Sequence, residues 1–320
     1  MNRRDFLRAT AAVAAVAPFA RAQSATPTPT PTPTPSPAAK NPVALKKRGM
    51  KKGFMLGTLG GPSAQKLTLL EKFQLLRAAG FDGVEVGSGM NQAEVLAARD
   101  QTGLAIPSVV ISTHWLKPLS DPNPAAREIG LEGLKQGLRD AKAYGASSVL
   151  LVPAVVKKDV PYADAYARSV VEITKALPLA ESLGVVIAIE NVWNQFLLSP
   201  LEAAAYVDAF KSPWVRWHFD AGNIVNTGWP EHWIHTLGAR IVKVHIKEFS
   251  RKVRDEKGPY AGFRVDLFEG DCDWPKVLAA FDDIGYSGWL IAEQYRPPSF
   301  TDDATWLVHL AQKMDAVIGS

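Results

Sequence analysis

Between residues 50 and 320, short runs rich in β-branched residues alternate eight times with longer stretches of Ala, Leu, Glu and Lys. The short runs are KGFMLGT (52–58), GVEVG (83–87), AIPSVVIS (105–112), SSVLLVPA (147–154), VVIAIEN (185–191), VRWHFDAG (215–222), IVKVHIKE (241–248) and WLIAEQY (289–295). The stretch between the first two, AQKLTLLEKFQLLRAAG, sets Leu69, Leu70, Phe73, Leu76 and Ala79 at helical spacing and stops on Gly80. The same stop recurs at Gly145, Gly184 and Gly285, each a few residues ahead of a strand. Ser199-Pro200 supplies an N-cap and a first-turn proline for another helix. Eight such units in a body of roughly 270 residues predict a single closed (β/α)8 TIM barrel. An open, doubly wound sheet is the alternative. No Gly-x-Gly-x-x-Gly follows the first run, so a dinucleotide-binding version of that sheet loses support.

The last four strands end on residues that can hold a metal ion: Glu190, Asp220, His245 and Glu293. In a barrel the active site lies at the C-terminal ends of the strands, and adjacent strands are close enough for rim residues to share one ion. Each residue alone has a plainer reading. Either glutamate can cap a helix or pair with a lysine, Asp220 can open a turn in Asp-Ala-Gly-Asn, and His245 can be a hydrogen-bonded core residue. Together, three carboxylates at one depth are costly to bury without a cation. Carboxylates with one imidazole suit Mn²⁺, Mg²⁺ or Co²⁺ better than a thiolate-seeking metal. Mn²⁺ is the expected ion, with Mg²⁺, Co²⁺ or Zn²⁺ as alternatives.

The motifs IENVWN, DAGN, VHIKE and FEGDCDWPKVLAAFDDIGYSGWLIAEQY resemble the xylose isomerase-like TIM-barrel superfamily, in particular its sugar phosphate isomerase/epimerase proteins. Those include L-ribulose-5-phosphate 3-epimerases and D-tagatose/D-psicose 3-epimerases. The resemblance covers residues 50–320 and is strongest over strands five to eight. It implies a metal-dependent isomerase with Glu190, Asp220, His245 and Glu293 as ligands. It also implies Glu190 and Glu293 as the catalytic acid/base pair, working on a ketose or keto-sugar through a cis-enediolate. Asn223 matches the ribulose-phosphate pattern, where tagatose-type epimerases carry His. Arg251, six residues after His245, matches a substrate-contacting Arg of the tagatose type, and Arg264 matches a loop Arg of the ribulose-phosphate type. Glu85, His114 and Trp193 lie on the predicted rim as sugar contacts. Lys247 shares the strand face of His245, and His218, two residues before Asp220, is expected inside the barrel below the metal. His232, His235 and His309 fall in helical or connecting stretches as structural or solvated residues.

The N-terminus is organised differently. MNRRDFLRATAAVAAVAPFARAQ has a positive start, a short apolar run and an Ala20-Arg21-Ala22 cleavage pattern, and Arg3-Arg4 precedes Asp5-Phe6-Leu7. It is expected to be a twin-arginine-like export signal over residues 1–22, directing a periplasmic protein. Residues 23–49 form a Thr/Pro-rich linker in which alternating proline blocks helix and sheet. The formal charge of +4 is largely the leader's. Four Arg and one Asp leave with it, taking 36 basic and 32 acidic residues to 32 and 31. A near-neutral body argues against nucleic acid as a partner. The one cysteine, Cys272, rules out an internal disulfide, and no cysteine stands at the cleavage site for a lipid anchor. No later segment is apolar enough to span a bilayer, so no membrane anchor is expected. Export after folding suits a protein that loads its metal before leaving the cytoplasm. Export also favours a non-phosphorylated sugar as the small-molecule partner. Three other readings stay open: a 3-keto-glycoside eliminase or hydrolase, an AP endonuclease-like DNA repair enzyme, and a non-catalytic sugar-binding protein. A homo-oligomer fits the relatives, but the sequence marks no interface.

Overall fold

The computed structural model describes residues 48–61 and 64–320. The predicted leader and nearly all of the predicted linker lie outside the described residues. Arg48 is already tied into the body: its guanidinium donates to both carboxylate oxygens of Asp282, each at 2.9 Å.

Eight parallel strands close on themselves in sequence order. They are β1 (Lys51–Met55), β2 (Gly83–Gly87), β3 (Ser108–Val110), β4 (Ser148–Leu151), β5 (Val186–Glu190), β6 (Val215–Asp220), β7 (Ile241–Ile246) and β8 (Trp289–Ala292). The predicted closed barrel is therefore the observed one, and the open sheet is excluded. The helices are α1 (Leu69–Ala79), α2 (Gln92–Thr102), α3 (Pro124–Tyr144), α4 (Tyr162–Leu183), α5 (Pro200–Ala209), α6 (Ala221–Val225), α7 (Pro230–Leu237), α8 (Arg251–Lys257), α9 (Trp274–Asp283) and α10 (Asp303–Gly319). Thr68 and Glu71 form a capping box at the start of α1, and Ser199 caps α5. Gly80, Gly145 and Gly184 end their helices in the left-handed conformation that favours glycine. No helix among the described residues is long and apolar enough to cross a membrane.

Side-chain alternation along the strands sorts two populations. Phe54 packs edge-on against Trp306 of α10, and Phe219 against Phe281 of α9, so these strand residues face the helices. Val84, Val109, Val149, Ile187, Trp217 and Val244 are likewise fully buried. The residues between them point at the barrel axis and are unusually polar: Glu85, Ser108, Ser148, His218, Lys243 and His245, all at most 4% exposed. The apolar outward face supplies the packing that holds the barrel. At these positions on the axis, where a TIM barrel ordinarily stacks branched aliphatic residues, the chain places polar and ionisable groups.

Candidate active site

Asp220 ends β6 and also caps the short helix that follows: its Oδ1 accepts from the Asn223 N–H at 2.7 Å. The other oxygen is buried and makes no well-aligned hydrogen bond, although Lys247 Nζ stands 3.0 Å away. Thus the turn chemistry of Asp-Ala-Gly-Asn and a ligand-type role coexist in one carboxylate. Gly222 makes the turn fit, since a Cβ there would lie 2.4 Å from the Lys247 carbonyl oxygen. Asn191, next to Glu190, donates to the Asp220 carbonyl at 2.7 Å and accepts from the Asp220 N–H at 3.0 Å.

Glu190 is the last residue of β5, and Glu293 follows β8, held by its N–H to the Ile246 carbonyl at 3.0 Å. His245 Nδ1 lies 3.1 Å from Glu190 Oε1, 3.0 Å from Glu293 Oε2 and 3.9 Å from Asp220 Oδ2. One ligand atom from each of these four residues lies within 4.8 Å of the others. The four residues singled out at the strand ends thus converge on one point. Lys247 Nζ reaches the same carboxylates, 2.9 Å from Glu293 Oε2.

The electrostatics are those of a crowded, buried cluster. Burial pushes Glu190 up to about 7 despite its hydrogen bond from His245, and pushes Asp220 up to about 6 against the pull of Lys247. Burial also acts to raise Glu293, but Lys247 and His245 overcome it and hold that carboxyl well below its ordinary range. His245 is driven down by burial and up by Glu85, Glu190 and Glu293, and the carboxylates win. The donor set fits a divalent cation: three carboxylates, one imidazole nitrogen facing them, and a buried Asp220 oxygen still lacking a well-aligned donor.

A cleft of about 870 Å³ opens above the cluster, lined by Glu190, His245, Lys247 and Glu293 at its floor. Trp193 packs at a tilt against Phe263 and Tyr260, at 4.9 and 5.4 Å between ring centroids, forming an aromatic wall. Trp193 is fixed by its Nε1–H to the Asn223 carbonyl at 3.0 Å. His114 accepts the Val152 N–H on Nδ1 at 3.1 Å, and burial pulls it down to about 3. Its imidazole is neutral, with Nε2–H as the remaining donor at a residue that lines the cleft. Asn223 and Arg264 also line it, and among the described residues Arg264 has no side-chain hydrogen bond or ion pair.

Two of the predicted substrate contacts are placed elsewhere. Arg251 is not part of the cleft lining. Its guanidinium donates to the Val225 and Gly228 carbonyls at 2.8 and 2.9 Å and lies over the Trp229 ring. A spacing of six residues from His245 therefore carries this side chain into helix packing. Glu85 sits below the floor, fully buried, because β2 presents it to the barrel axis rather than to the rim. His218 is on the axis as expected, in register with Glu190 and with its ring 4.2 Å from that of His245.

Sequence reasoning missed Asn191 and Glu248. Glu248 Oε1 accepts from the Phe249 and Cys272 N–H groups, and Oε2 from the Phe268 N–H and Trp274 Nε1–H, at 2.8–3.1 Å. It gathers the segment after α8 that carries Phe263 and Arg264. Its only signal in the sequence was an acid just beyond the end of a strand.

The sequence profile of the xylose isomerase-like TIM barrel family matches residues 73–314. An L-ribulose-5-phosphate 3-epimerase of Escherichia coli O1:K1 is 24% identical over 242 residues, covering 71% of this chain and 82% of that protein. A crystal structure of D-psicose 3-epimerase in the presence of D-fructose superposes with a TM-score of 0.70 at 19% identity, covering 85% of this chain and all (100%) of the other. The structure of the IolI protein with a binding zinc atom superposes with a TM-score of 0.68 at 18% identity, covering 84% and 98%. With its closed parallel barrel and a profile match over most of its length, the chain belongs to the xylose isomerase-like TIM barrel family.

Proposed function

We propose that this chain is a divalent-metal-dependent sugar epimerase or isomerase that moves the proton on the carbon beside the carbonyl of a ketose or keto-sugar. The observation that carries the reading is the convergence of Glu190, Asp220, His245 and Glu293, three of which line the floor of an aromatic-walled cleft. The epimerase names of its relatives support it. When bound, a divalent ion polarises the substrate carbonyl and lowers the cost of removing the neighbouring proton. Glu190 and Glu293 then act in turn: one takes the proton to give an enediolate, and the other returns a proton to the opposite face, inverting the centre. Lys247 steadies the charge on Glu293 and Asp220, His114 offers Nε2–H to a hydroxyl, and Trp193 with Phe263 covers an apolar sugar face. Mn²⁺ is the ion we favour, given oxygen donors and one imidazole without thiolate; the zinc of the IolI neighbour makes Zn²⁺ the first alternative.

The leader-like N-terminus supports export to the periplasm, and a non-phosphorylated sugar follows from that placement. A keto-glycoside is a second reading, supported by a roomy cleft whose wall includes Tyr260, 70% exposed. The test is hydrogen exchange in D₂O, followed by NMR, with Mn²⁺-loaded protein and a panel of free ketoses, keto-glycosides and L-ribulose 5-phosphate. Exchange beside the carbonyl is expected with a free sugar or glycoside. Tight binding without exchange on any panel member makes the protein a sugar binder. Exchange confined to the phosphorylated sugar overturns the substrate assignment.

A further inference from the structure

Beneath the four ligand-type residues lies a pair that the proposed reaction does not use. Glu85, on β2, is fully buried, and its Oε2 is 2.7 Å from Nε2 of His245 on β7. Its other oxygen accepts the hydroxyl hydrogen of Ser108 on β3. The two ring nitrogens of His245 are thus assigned to different tasks. Nε2–H points down to a carboxylate locked from behind, and Nδ1 points up at Glu190, Glu293 and Asp220. A histidine ligand whose second nitrogen donates to a carboxylate has its tautomer and ring orientation set, and its free nitrogen is made more basic.

We propose that Glu85, braced by Ser108, is the positioning residue that aims His245 Nδ1 at the cation site and sets how tightly the chain holds a divalent ion. The proposal rests on the metal reading of the site above. Glu85 does not line the cleft, so it acts through His245 and not on the sugar.

The competing use of the same side chains is a second cation site. Glu85, His218 and His245 also bring ligand atoms within 4.8 Å of one another, and both ring nitrogens of buried His218 lack a hydrogen-bond partner. Two observations favour positioning. His245 Nε2 is already bonded to Glu85, so a second ion there has to displace that bond. Lys243, 4% exposed with its Nζ on Ser147 Oγ at 2.7 Å, interacts favourably with the Glu85 charge and already supplies a nearby cation.

The experiment is Mn²⁺ titration of the metal-stripped protein by calorimetry and EPR, on wild type, Glu85→Ala, Glu85→Gln, Ser108→Ala and His218→Ala. The thermal midpoint of each metal-free form is recorded alongside. Wild type is expected to bind one ion per chain. Glu85→Ala is expected to bind it about 10–100-fold more weakly. Glu85→Gln keeps an acceptor for Nε2–H and is expected to recover most of that loss. Ser108→Ala, which leaves the Glu85 charge in place, is expected to stay folded with a lowered thermal midpoint and to weaken binding several-fold, and it carries the test if Glu85→Ala does not fold. Equal Mn²⁺ affinity in wild type and all folded variants overturns the positioning role while leaving the metal reading intact. Two ions per chain, one of them lost in His218→Ala, overturns it in favour of a second site. A wild type that binds no ion removes the metal reading and the positioning role together.

Discussion

Asn191 and Asp220 hold one another through two hydrogen bonds, Asn191 Nδ2 to the Asp220 carbonyl at 2.7 Å and the Asp220 N–H to Asn191 Oδ1 at 3.0 Å. The pair links the ends of β5 and β6 and so fixes the spacing of Glu190 and Asp220. Asn191 Oδ1 also accepts the indole N–H of Trp217 at 3.1 Å. Asn191→Ala leaves these buried groups unpaired and is expected to cost about 1–3 kcal/mol for the donors and acceptors stranded. Urea denaturation measures the loss, and Mn²⁺ affinity should fall with it.

Glu190→Gln and Glu293→Gln each remove a proton-transferring group while keeping shape and hydrogen-bonding reach. Each is expected to lower kcat by about 10²–10⁴-fold or more, given the worth of a positioned acid or base. Circular dichroism should be unchanged. Residual exchange at the wild-type rate in either variant removes that glutamate from the proton path.

Metal uptake should release protons. Burial holds metal-free Glu190 up to about 7, and the carboxylates around His245 hold it well above its ordinary value against the opposing effect of burial. Around neutrality both groups therefore carry protons that a cation must displace, since a ligand binds in its deprotonated form. The sign follows: Mn²⁺ affinity rises with pH and weakens as the pH falls through about 7. Calorimetry in two buffers of different ionisation enthalpy counts the protons released. Removal of the ion with a chelator should abolish turnover, and Mn²⁺ should restore it.

Arg264 and Arg251 should separate cleanly. Arg264 lines the cleft and is otherwise unpaired among the described residues, so Arg264→Ala is expected to raise KM with little change in stability. Arg251 holds the Val225 and Gly228 carbonyls, so Arg251→Ala is expected to lower the thermal midpoint and leave KM near wild type. Steady-state kinetics and thermal melts on the two variants check the assignment.

The double arginine at Arg3-Arg4 carries the export expectation. Replacing both with Lys should retain the protein in the cytoplasm, as read by cell fractionation. Unimpaired periplasmic accumulation of that variant rejects a twin-arginine route.

Particular residues show what was legible in the chain. Gly80, Gly145 and Gly184 marked helix ends because a left-handed cap is a local requirement that glycine meets at little cost. Ser199-Pro200 marked a helix start for the same kind of local reason. The first strand was read through Thr58, yet pairing stops at Met55 and a 3-10 turn follows over Leu56–Thr58. Strand ends depend on the neighbouring strands, which composition does not register. Asn191 stood beside Glu190 in plain view, but a lone asparagine after a strand is ordinary turn chemistry until its two partners are known.

The eight-fold alternation is written along the chain, and the two-residue period of a strand puts Asp220 on the face of His218 and Lys247 on that of His245. These are short-range consequences of covalent geometry and need no tertiary knowledge. That Glu85 reaches His245 across 160 positions of sequence, and that Arg251 turns to backbone carbonyls while Arg264 stays on the cleft wall, emerges only once the chain is folded. Closing the barrel sets those distances. Its curvature and strand stagger are shared by all eight strands, so no single segment encodes which side chains meet on the axis.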